Sequence, residues 1–278
     1  MELCGPDGWH LFGNDYLKQQ NINIAKGRNA PVKAEESIRY VQDADTAILF
    51  IHGILGTPNH FIPFLPFVPS SWSIYNVLLK GHGGSVRDFS AASMSEWKQQ
   101  VHLALHSLLA SHDKVVIAAH SMGTLFAIQE SMDNQVAALF LLNTPLKIRI
   151  TPQLFSTSWK IFQGNIRPDD EWAIAAHRAY GIASDTNILH YIGWVPRYLE
   201  LFSEIRKTRK IANQLTTTAQ VYLSLHDEMV SPKSSKAFEK NPHVTVKLLN
   251  TSGHFYYSPQ DQRILQKDFC DMVQKVLA

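Results

Sequence analysis

The stretch Lys114–Gly123, KVVIAAHSMG, runs from an apolar segment directly into a serine that stands between small residues. The apolar segment 115–119 is β-branched at its start, which is typical of a central strand buried on both faces. Ala119 and Gly123 lie two residues before and two residues after Ser121. Small residues at these positions allow a sharp turn from strand into helix, which lifts the serine hydroxyl above the sheet. The stretch therefore predicts a nucleophile elbow.

The residues after Ser121 predict a helix that begins at this turn. Leu125, Phe126, Ile128 and Met132 recur at roughly helical spacing. The first amides of such a helix point toward the atom that Ser121 would attack, and they favour a developing negative charge there. For the pentapeptide taken alone, an ordinary serine N-cap is the alternative.

Three more polar stretches come shortly after segments that predict strands. His52-Gly53-Ile54 follows segment 47–51, Asp227 follows segment 219–225, and Gly253-His254 follows segment 244–249. Open α/β sheets assemble their sites at the carboxyl ends of their strands. We therefore expect these stretches to meet Ser121 at one edge of a sheet.

From about residue 47 onward, these four motifs resemble the α/β-hydrolase superfamily, and within it the carboxylesterase and monoacylglycerol lipase branch. The usual elbow of that family is Gly-x-Ser-x-Gly, and this chain departs from it by having Ala119 in the first glycine position. The resemblance implies an α/β fold with a mostly parallel central sheet flanked by helices. It also implies a helical cap inserted after the sixth strand of the family's sheet.

The resemblance assigns the catalytic roles. It implies that Ser121 is the nucleophile, that His254 is the general base, and that Asp227 orients His254, in the chain order of the family. Asp227 fits the family's register because Val230 stands at the apolar position that follows the acid. Glu228 is the neighbouring alternative, and we expect its side chain in solvent.

The resemblance also implies an oxyanion hole formed by the backbone amides of Ile54 and Met122. The apolar residues that we expect to line the substrate pocket are Ile54, Phe61, Met122, Trp194 and Met229. The predicted reaction is hydrolysis of a small carboxylic ester through an acyl-enzyme, without a metal or organic cofactor. Alternatives with the same triad are a thioesterase, an amidase or a carbon–carbon bond hydrolase. A peroxide-dependent enzyme and a ligand-binding protein without catalysis are further alternatives.

Other histidines have simpler interpretations. His82 lies in a Gly-His-Gly turn, and we expect it to be structural. His102 and His106 have the spacing of a metal-binding pair on a helix, but no cysteine or carboxylate cluster stands with them in the sequence. We therefore expect them to be solvated helix histidines.

Composition and segment patterns set the domain organisation. The chain has 278 residues, 45% hydrophobic content and a net charge of +2, which fits one α/β domain with an insertion and argues against nucleic-acid binding. We expect an irregular N-terminal arm at 1–35, a hydrolase core at 36–145 and 216–278, and an aromatic-rich helical cap at 146–215. The oligomeric state is not predicted by the sequence.

The expected location is the cytoplasm. The first twenty residues have no apolar region of the signal-peptide type, and no later run has the length of a membrane span. We therefore expect no stable membrane insertion. The two cysteines, Cys4 and Cys270, lie far apart in the sequence without metal-ligand spacing, which fits a reducing compartment.

Overall fold

The computed structural model describes residues 34–183, 185 and 187–278. The predicted N-terminal arm, 1–35, lies outside the described residues except for its last two. The strands of the described part are β1 (Ser37–Arg39), β2 (Thr46–Ile51), β3 (Ser73–Val77), β4 (Lys114–His120), β5 (Ala138–Leu142), β6 (Ala219–Ser224) and β7 (Val244–Leu249). Its α-helices are α1 (Val86–Ala91), α2 (Met94–Leu109), α3 (Met122–Asp133), α4 (Pro152–Gln163), α5 (Glu171–Ala179), α6 (Trp194–Ile211) and α7 (Pro259–Leu277).

The seven strands form one sheet in the order β1-β3-β2-β4-β5-β6-β7. Strand β1 is antiparallel to β3, and every other pair is parallel. The predicted fold class, a mostly parallel sheet flanked by helices, is confirmed. The parallel strands direct their carboxyl ends to the same edge, where Ser121 follows β4.

The core lies on both faces of this sheet because alternate residues of a strand point to opposite sides. In β2, Leu49 and Ile51 belong to one buried cluster, which also contains Trp97 of α2. Ile48 and Phe50 belong to the other cluster, with Phe269 of α7. Burial on both faces explains why the central strands are continuous apolar runs without alternating polar residues.

Helices α4, α5 and α6 all lie between β5 and β6, so the helical insertion follows the fifth strand of this sheet. Helix α5 begins after Asp170, whose side chain accepts a hydrogen bond from the Ala173 amide at 3.0 Å. Helix α6 begins at Trp194, two residues before Pro196. Proline is tolerated there because the first amides of a helix have no intrahelical acceptor. The proposed boundaries of core and cap stay a prediction.

None of the helices in the described part of the chain combines the length and the hydropathy that a bilayer-spanning segment needs.

Candidate active site

Ser121 occupies a strained backbone conformation between β4 and α3. Its φ is 50° and its ψ is −122°, a region that residues with a side chain rarely adopt. Such a conformation costs about 1–3 kcal/mol and persists only where the surrounding structure holds it. The Ser121 amide donates to the Leu142 carbonyl at 2.9 Å, and its carbonyl accepts from the Thr124 hydroxyl at 2.6 Å. Strands β4 and β5 and helix α3 together hold the turn.

Two glycines allow the chain to approach Ser121 closely. A Cβ atom at Gly123 would lie 2.3 Å from the carbonyl oxygen of Ile51, a distance at which atoms overlap. A Cβ atom at Gly53 would lie 2.8 Å from Cβ of Ser121. The end of β2 therefore packs directly against the elbow, and only glycine fits at these two positions.

The loop after β2 carries the first predicted oxyanion donor, Ile54. Neither the Ile54 amide nor the Met122 amide donates a hydrogen bond to any residue that the structure describes. His52 fixes the loop, since its Nδ1 donates to the Gly53 carbonyl at 2.8 Å and its Nε2 accepts from the Leu79 amide at 3.1 Å. Burial lowers the pKa of His52 to about 4, so the ring is neutral near pH 7 and keeps this tautomer.

His254 and Asp227 form a buried hydrogen-bonded pair. His254 Nδ1 lies 2.7 Å from Asp227 Oδ2, and the residues are 2% and 1% exposed. The other carboxylate oxygen, Oδ1, accepts from the amides of Met229 at 2.7 Å and Val230 at 2.6 Å. Burial alone would lower the pKa of His254, but the charge and hydrogen bond of Asp227 outweigh it, so the pKa is raised. This electrostatic arrangement stabilises the imidazolium form that a general base acquires during catalysis.

Glu228 holds the backbone of His254. The expectation that Glu228 lies in solvent is wrong, because its side chain is buried and Oε2 accepts from the His254 amide at 2.8 Å. Burial raises the pKa of Glu228. The His254 carbonyl accepts from Asn143 Nδ2 at 3.1 Å and from His120 Nε2 at 3.0 Å. Both polar groups of the His254 backbone are therefore fixed by buried side chains.

His60 and His120 form a stacked pair beside His254, which the sequence analysis did not assign. Their ring centroids lie 3.9 Å apart, and the His120 ring lies 4.8 Å from that of His254. Burial lowers the pKa of both rings, that of His60 to about 3. His120 could have been noticed because it directly precedes Ser121, whereas nothing in the sequence around His60 indicates its place.

The structure gathers the predicted catalytic residues at the carboxyl edge of the sheet. His120, the last residue of β4, contacts His254 through its ring and its Nε2. The Ser121 side chain is nearly buried, and its hydroxyl has no hydrogen-bond partner among the described residues. Catalytic hydrogen bonds of this kind often form only when substrate is bound.

Helix α5 covers the loop that carries His254. A Cβ atom at Gly253 would lie 2.1 Å from the Trp172 ring, so the indole packs directly on this loop. The Trp172 and Tyr256 ring centroids lie 5.1 Å apart, and the Tyr256 hydroxyl donates to Glu171 Oε2 at 2.7 Å. Residues of the helical insertion thus pack against the loop that carries His254.

The five residues predicted to line the substrate pocket have different surroundings. Ile54 and Met122 are buried next to the elbow, in the core cluster that contains Trp97, and Met229 packs against this cluster. Phe61 is fully buried in the other core cluster, with its ring 5.0 Å from that of Phe50. The place of Phe61 in a substrate pocket stays a prediction.

Trp194 lies 5.1 Å from Phe89, measured between ring centroids, and its indole donates to the Val86 carbonyl at 3.3 Å. These contacts anchor the start of α6 to α1. The place of Trp194 in a substrate pocket also stays a prediction.

Three other histidines that the sequence singles out lie outside the elbow. His82 is buried, with its ring 4.8 Å from His52 and 5.0 Å from Trp97, and its Nδ1 lies 3.4 Å from the Lys80 carbonyl. His102 and His106 are exposed on α2, and one carboxylate, which the local sequence pattern does not indicate, lies beside them. Glu130 of α3 completes a group of possible metal ligands whose donor atoms lie within 4.8 Å of one another. The carboxylate stands far from this pair in the sequence.

Comparison with known proteins gives a family match over most of the chain. The family described as "Alpha/beta hydrolase family" matches residues 48–266. No curated protein sequence matches the chain significantly.

Solved structures with the same fold come from several sources. One belongs to work on LipS and LipT, two metagenome-derived lipolytic enzymes, with a TM-score of 0.66, 17% identity and coverage of 88% of this chain and 99% of the other. A monoacylglycerol lipase from Paleococcus ferrophilus has a TM-score of 0.61 and 14% identity, and the match covers 86% of this chain and 99% of the other. A soluble variant of monoglyceride lipase from Saccharomyces cerevisiae has a TM-score of 0.58 and 13% identity, and the match covers 89% of this chain and 96% of the other. At these identities the likeness shows the fold alone.

Proposed function

Because the chain belongs to the α/β-hydrolase family, we propose that it is a serine hydrolase that cleaves small carboxylic esters through an acyl-enzyme. The observation that carries this proposal is the buried hydrogen bond between His254 and Asp227, 2.7 Å long, next to a strained serine. A protein that only binds a ligand has no need for either feature. The lipase and esterase names among the structural neighbours favour esters as the substrate class.

In the proposed first half-reaction, Ser121 Oγ attacks the ester carbonyl carbon while His254 Nε2 accepts the hydroxyl proton. The negative charge on the carbonyl oxygen is stabilised by the amides of Ile54 and Met122, and each such donor typically contributes about 10²–10³ in rate. The intermediate then collapses, the carbon–oxygen bond to the alcohol breaks, and His254 gives its proton to the leaving alcohol.

In the second half-reaction, water attacks the acyl-enzyme while His254 accepts a proton from it. Collapse of the second tetrahedral intermediate releases the carboxylic acid and returns the proton to Ser121 Oγ. Asp227 stays ionised and stabilises the imidazolium in both halves. No redox step or cofactor enters this scheme.

The proposal also covers substrate pocket and location. Ile54, Met122 and Met229 would contact the acyl or the alcohol part of the ester, because they pack around the elbow. Phe61 and Trp194 are further candidates for lining the substrate pocket. A cytoplasmic location is proposed on the cysteine pattern alone, since Cys4 and Cys270 lie far apart in the sequence without metal-ligand spacing.

The test is hydrolysis of nitrophenyl acyl esters of increasing chain length by the wild-type chain and by Ser121→Ala. Ser131→Ala is the matched control, because Ser131 is a buried serine of α3, ten residues after Ser121, whose hydroxyl donates to the Ile128 carbonyl at 2.9 Å. We expect turnover by wild type and control and none by Ser121→Ala. Equal activity in all three would exclude Ser121 as the nucleophile.

Parallel assays with a thioester and an anilide of the best acyl chain test the leaving group. Preference for the oxygen ester supports an esterase. Preference for the thioester or the anilide would instead identify the chain as a thioesterase or an amidase that uses the same residues.

A further inference from the structure

Three possible metal ligands meet on the surface where α2 packs beside α3. His102 and His106 lie one helical turn apart on α2, and Glu130 lies on α3. Their donor atoms all lie within 4.8 Å of one another. His102 Nδ1 is 3.1 Å from Glu130 Oε2, and the two imidazole centroids are 4.1 Å apart.

These distances suit a tetrahedral metal ion. Zinc binds imidazole nitrogen and carboxylate oxygen at about 2.0–2.2 Å, so two of its ligand atoms lie about 3.3 Å apart. The His102–Glu130 separation of 3.1 Å is shorter than this value by only about 0.2 Å. His106 is exposed and can rotate by the small remaining distance without disturbing the core.

The carboxylate is oriented by a neighbour, as metal ligands usually are. Asn134 Nδ2 donates to Glu130 Oε2 at 3.2 Å and to the Glu130 carbonyl at 2.9 Å. Glu130 is also the least exposed of the three ligands, with 14% of its side chain accessible against 51% for His102. The Glu130 carboxylate is therefore fixed by Asn134, whereas the two exposed imidazoles are free to rotate toward an ion.

We propose that His102, His106 and Glu130 bind one divalent transition-metal ion of the zinc class, with water in the remaining position. Two imidazoles and one carboxylate are a borderline donor set, which favours zinc, copper or nickel over magnesium or calcium. Binding replaces the hydrogen bond between His102 and Glu130 with two metal bonds, and the neutral His102 ring then carries its proton on Nε2.

The site would clamp α2 to α3 and would take no part in ester hydrolysis. Glu130 lies nine residues after Ser121 on the helix that begins at the elbow. At 1.5 Å per residue this places the ion about 13 Å from the elbow along the helix axis, too far to polarise a substrate carbonyl. The expected consequence is a gain in stability at unchanged activity.

The test is isothermal titration of the metal-free full chain with zinc chloride, together with thermal unfolding at increasing zinc concentration. Wild type should bind one zinc ion per chain, and its unfolding temperature should rise with zinc concentration because the ion binds only the folded state. His106→Ala and Glu130→Gln should each weaken binding by about tenfold or more, since even residues that only orient a ligand contribute about 10–100-fold.

His243→Ala is the matched control, because His243 is an exposed histidine in the turn before β7 and belongs to no group of possible metal ligands among the described residues. It should bind zinc like wild type. Circular dichroism without zinc checks that each variant is folded. Failure of wild type to bind zinc, or unchanged affinity in both His106→Ala and Glu130→Gln, would overturn the proposal, and the second result would indicate the buried histidines near His254 as the binding site.

Discussion

At the scale of single residues, two neighbouring carboxylates act on different parts of His254. Asp227 bonds to the imidazole, and Glu228 bonds to the backbone amide. The first sets the tautomer and the charge that the ring can carry. The second positions the loop and adds negative charge near the ring. Substitution can separate these effects because each carboxylate has its own amide analogue.

Asp227→Asn should lower kcat for ester hydrolysis by about four orders of magnitude, because an amide neither stabilises the imidazolium nor enforces the correct tautomer. Asp268→Asn is the control, since Asp268 is also nearly buried but bonds to Tyr222 and Lys247 on the side of α7. It should change stability and leave kcat within a few-fold. A fall of less than tenfold in Asp227→Asn would show that Asp227 is not the acid of the triad.

Glu228→Gln should move the acidic limb of the kcat/KM profile to lower pH. Burial lowers the pKa of His254, Asp227 raises it most, and Glu228 adds to that rise. Activity needs the neutral imidazole and so increases as pH rises through this pKa. Removing the charge of Glu228 lowers the pKa, while the amide oxygen of glutamine can still accept the His254 amide.

Glu228→Ala separates charge from position. It loses the acceptor of the His254 amide as well as the charge, so it should also lower the activity plateau above the pKa. Equal pH profiles in wild type and Glu228→Gln would contradict the electrostatic role. An unchanged plateau in Glu228→Ala would contradict the positioning role.

At the scale of elements, the elbow depends on the contact between β2 and the first turn of α3. Gly123→Ala would place a methyl group 2.3 Å from the Ile51 carbonyl oxygen, so backbone must move. We expect a loss of about 2 kcal/mol or more in the free energy of unfolding, as for overpacked cores. Activity should fall by about 100-fold, because a displacement of about 1 Å at the nucleophile has that effect.

Gly164→Ala is the control for this substitution. Gly164 ends α4 with φ 66°, so alanine is strained there too and should cost about 1 kcal/mol. It lies outside the elbow and should leave kcat unchanged. If Gly123→Ala hydrolyses the same esters as fast as wild type, the elbow works even when β2 and the first turn of α3 lie further apart, and the prediction is contradicted.

The elements themselves could be predicted where apolar runs are long and bounded by turn residues. Strand β7 has the bounds Val244–Leu249 of the segment that precedes the Gly253-His254 motif in the sequence. Contacts between elements could not be predicted in this way. Glu228 reaches His254 across 26 residues of sequence, and Glu130 reaches His102 across 28. Nothing in the local pattern indicates either contact, because packing of whole helices and loops creates it.

At the scale of the whole molecule, four histidines make folding depend on pH, three of them buried and His60 partly buried. Burial lowers the pKa values of His52, His60, His82 and His120. The unfolded chain binds protons on these rings near the ordinary value of about 6.5, whereas the folded chain does so only at lower pH. Their contribution to stability is therefore complete above about pH 6.5 and is lost as the pH falls toward the folded values. For His52, with a folded pKa of about 4, the loss amounts to about 3 kcal/mol.

His60→Phe tests this dependence without removing the aromatic ring that stacks on His120. His60 Nε2 is buried without a hydrogen-bond partner among the described residues, so phenylalanine loses no bond there. Between about pH 6.5 and about pH 4.5, the variant should lose about 2 kcal/mol less stability than wild type, because one fewer proton is taken up on unfolding. Urea unfolding followed by tryptophan fluorescence at both pH values measures the difference, and the exposed His243→Ala should behave like wild type. His254 does not affect this comparison, because its raised pKa places its titration above this pH window. If the free energy of unfolding falls equally with pH in wild type and in His60→Phe, His60 carries a proton in the folded chain.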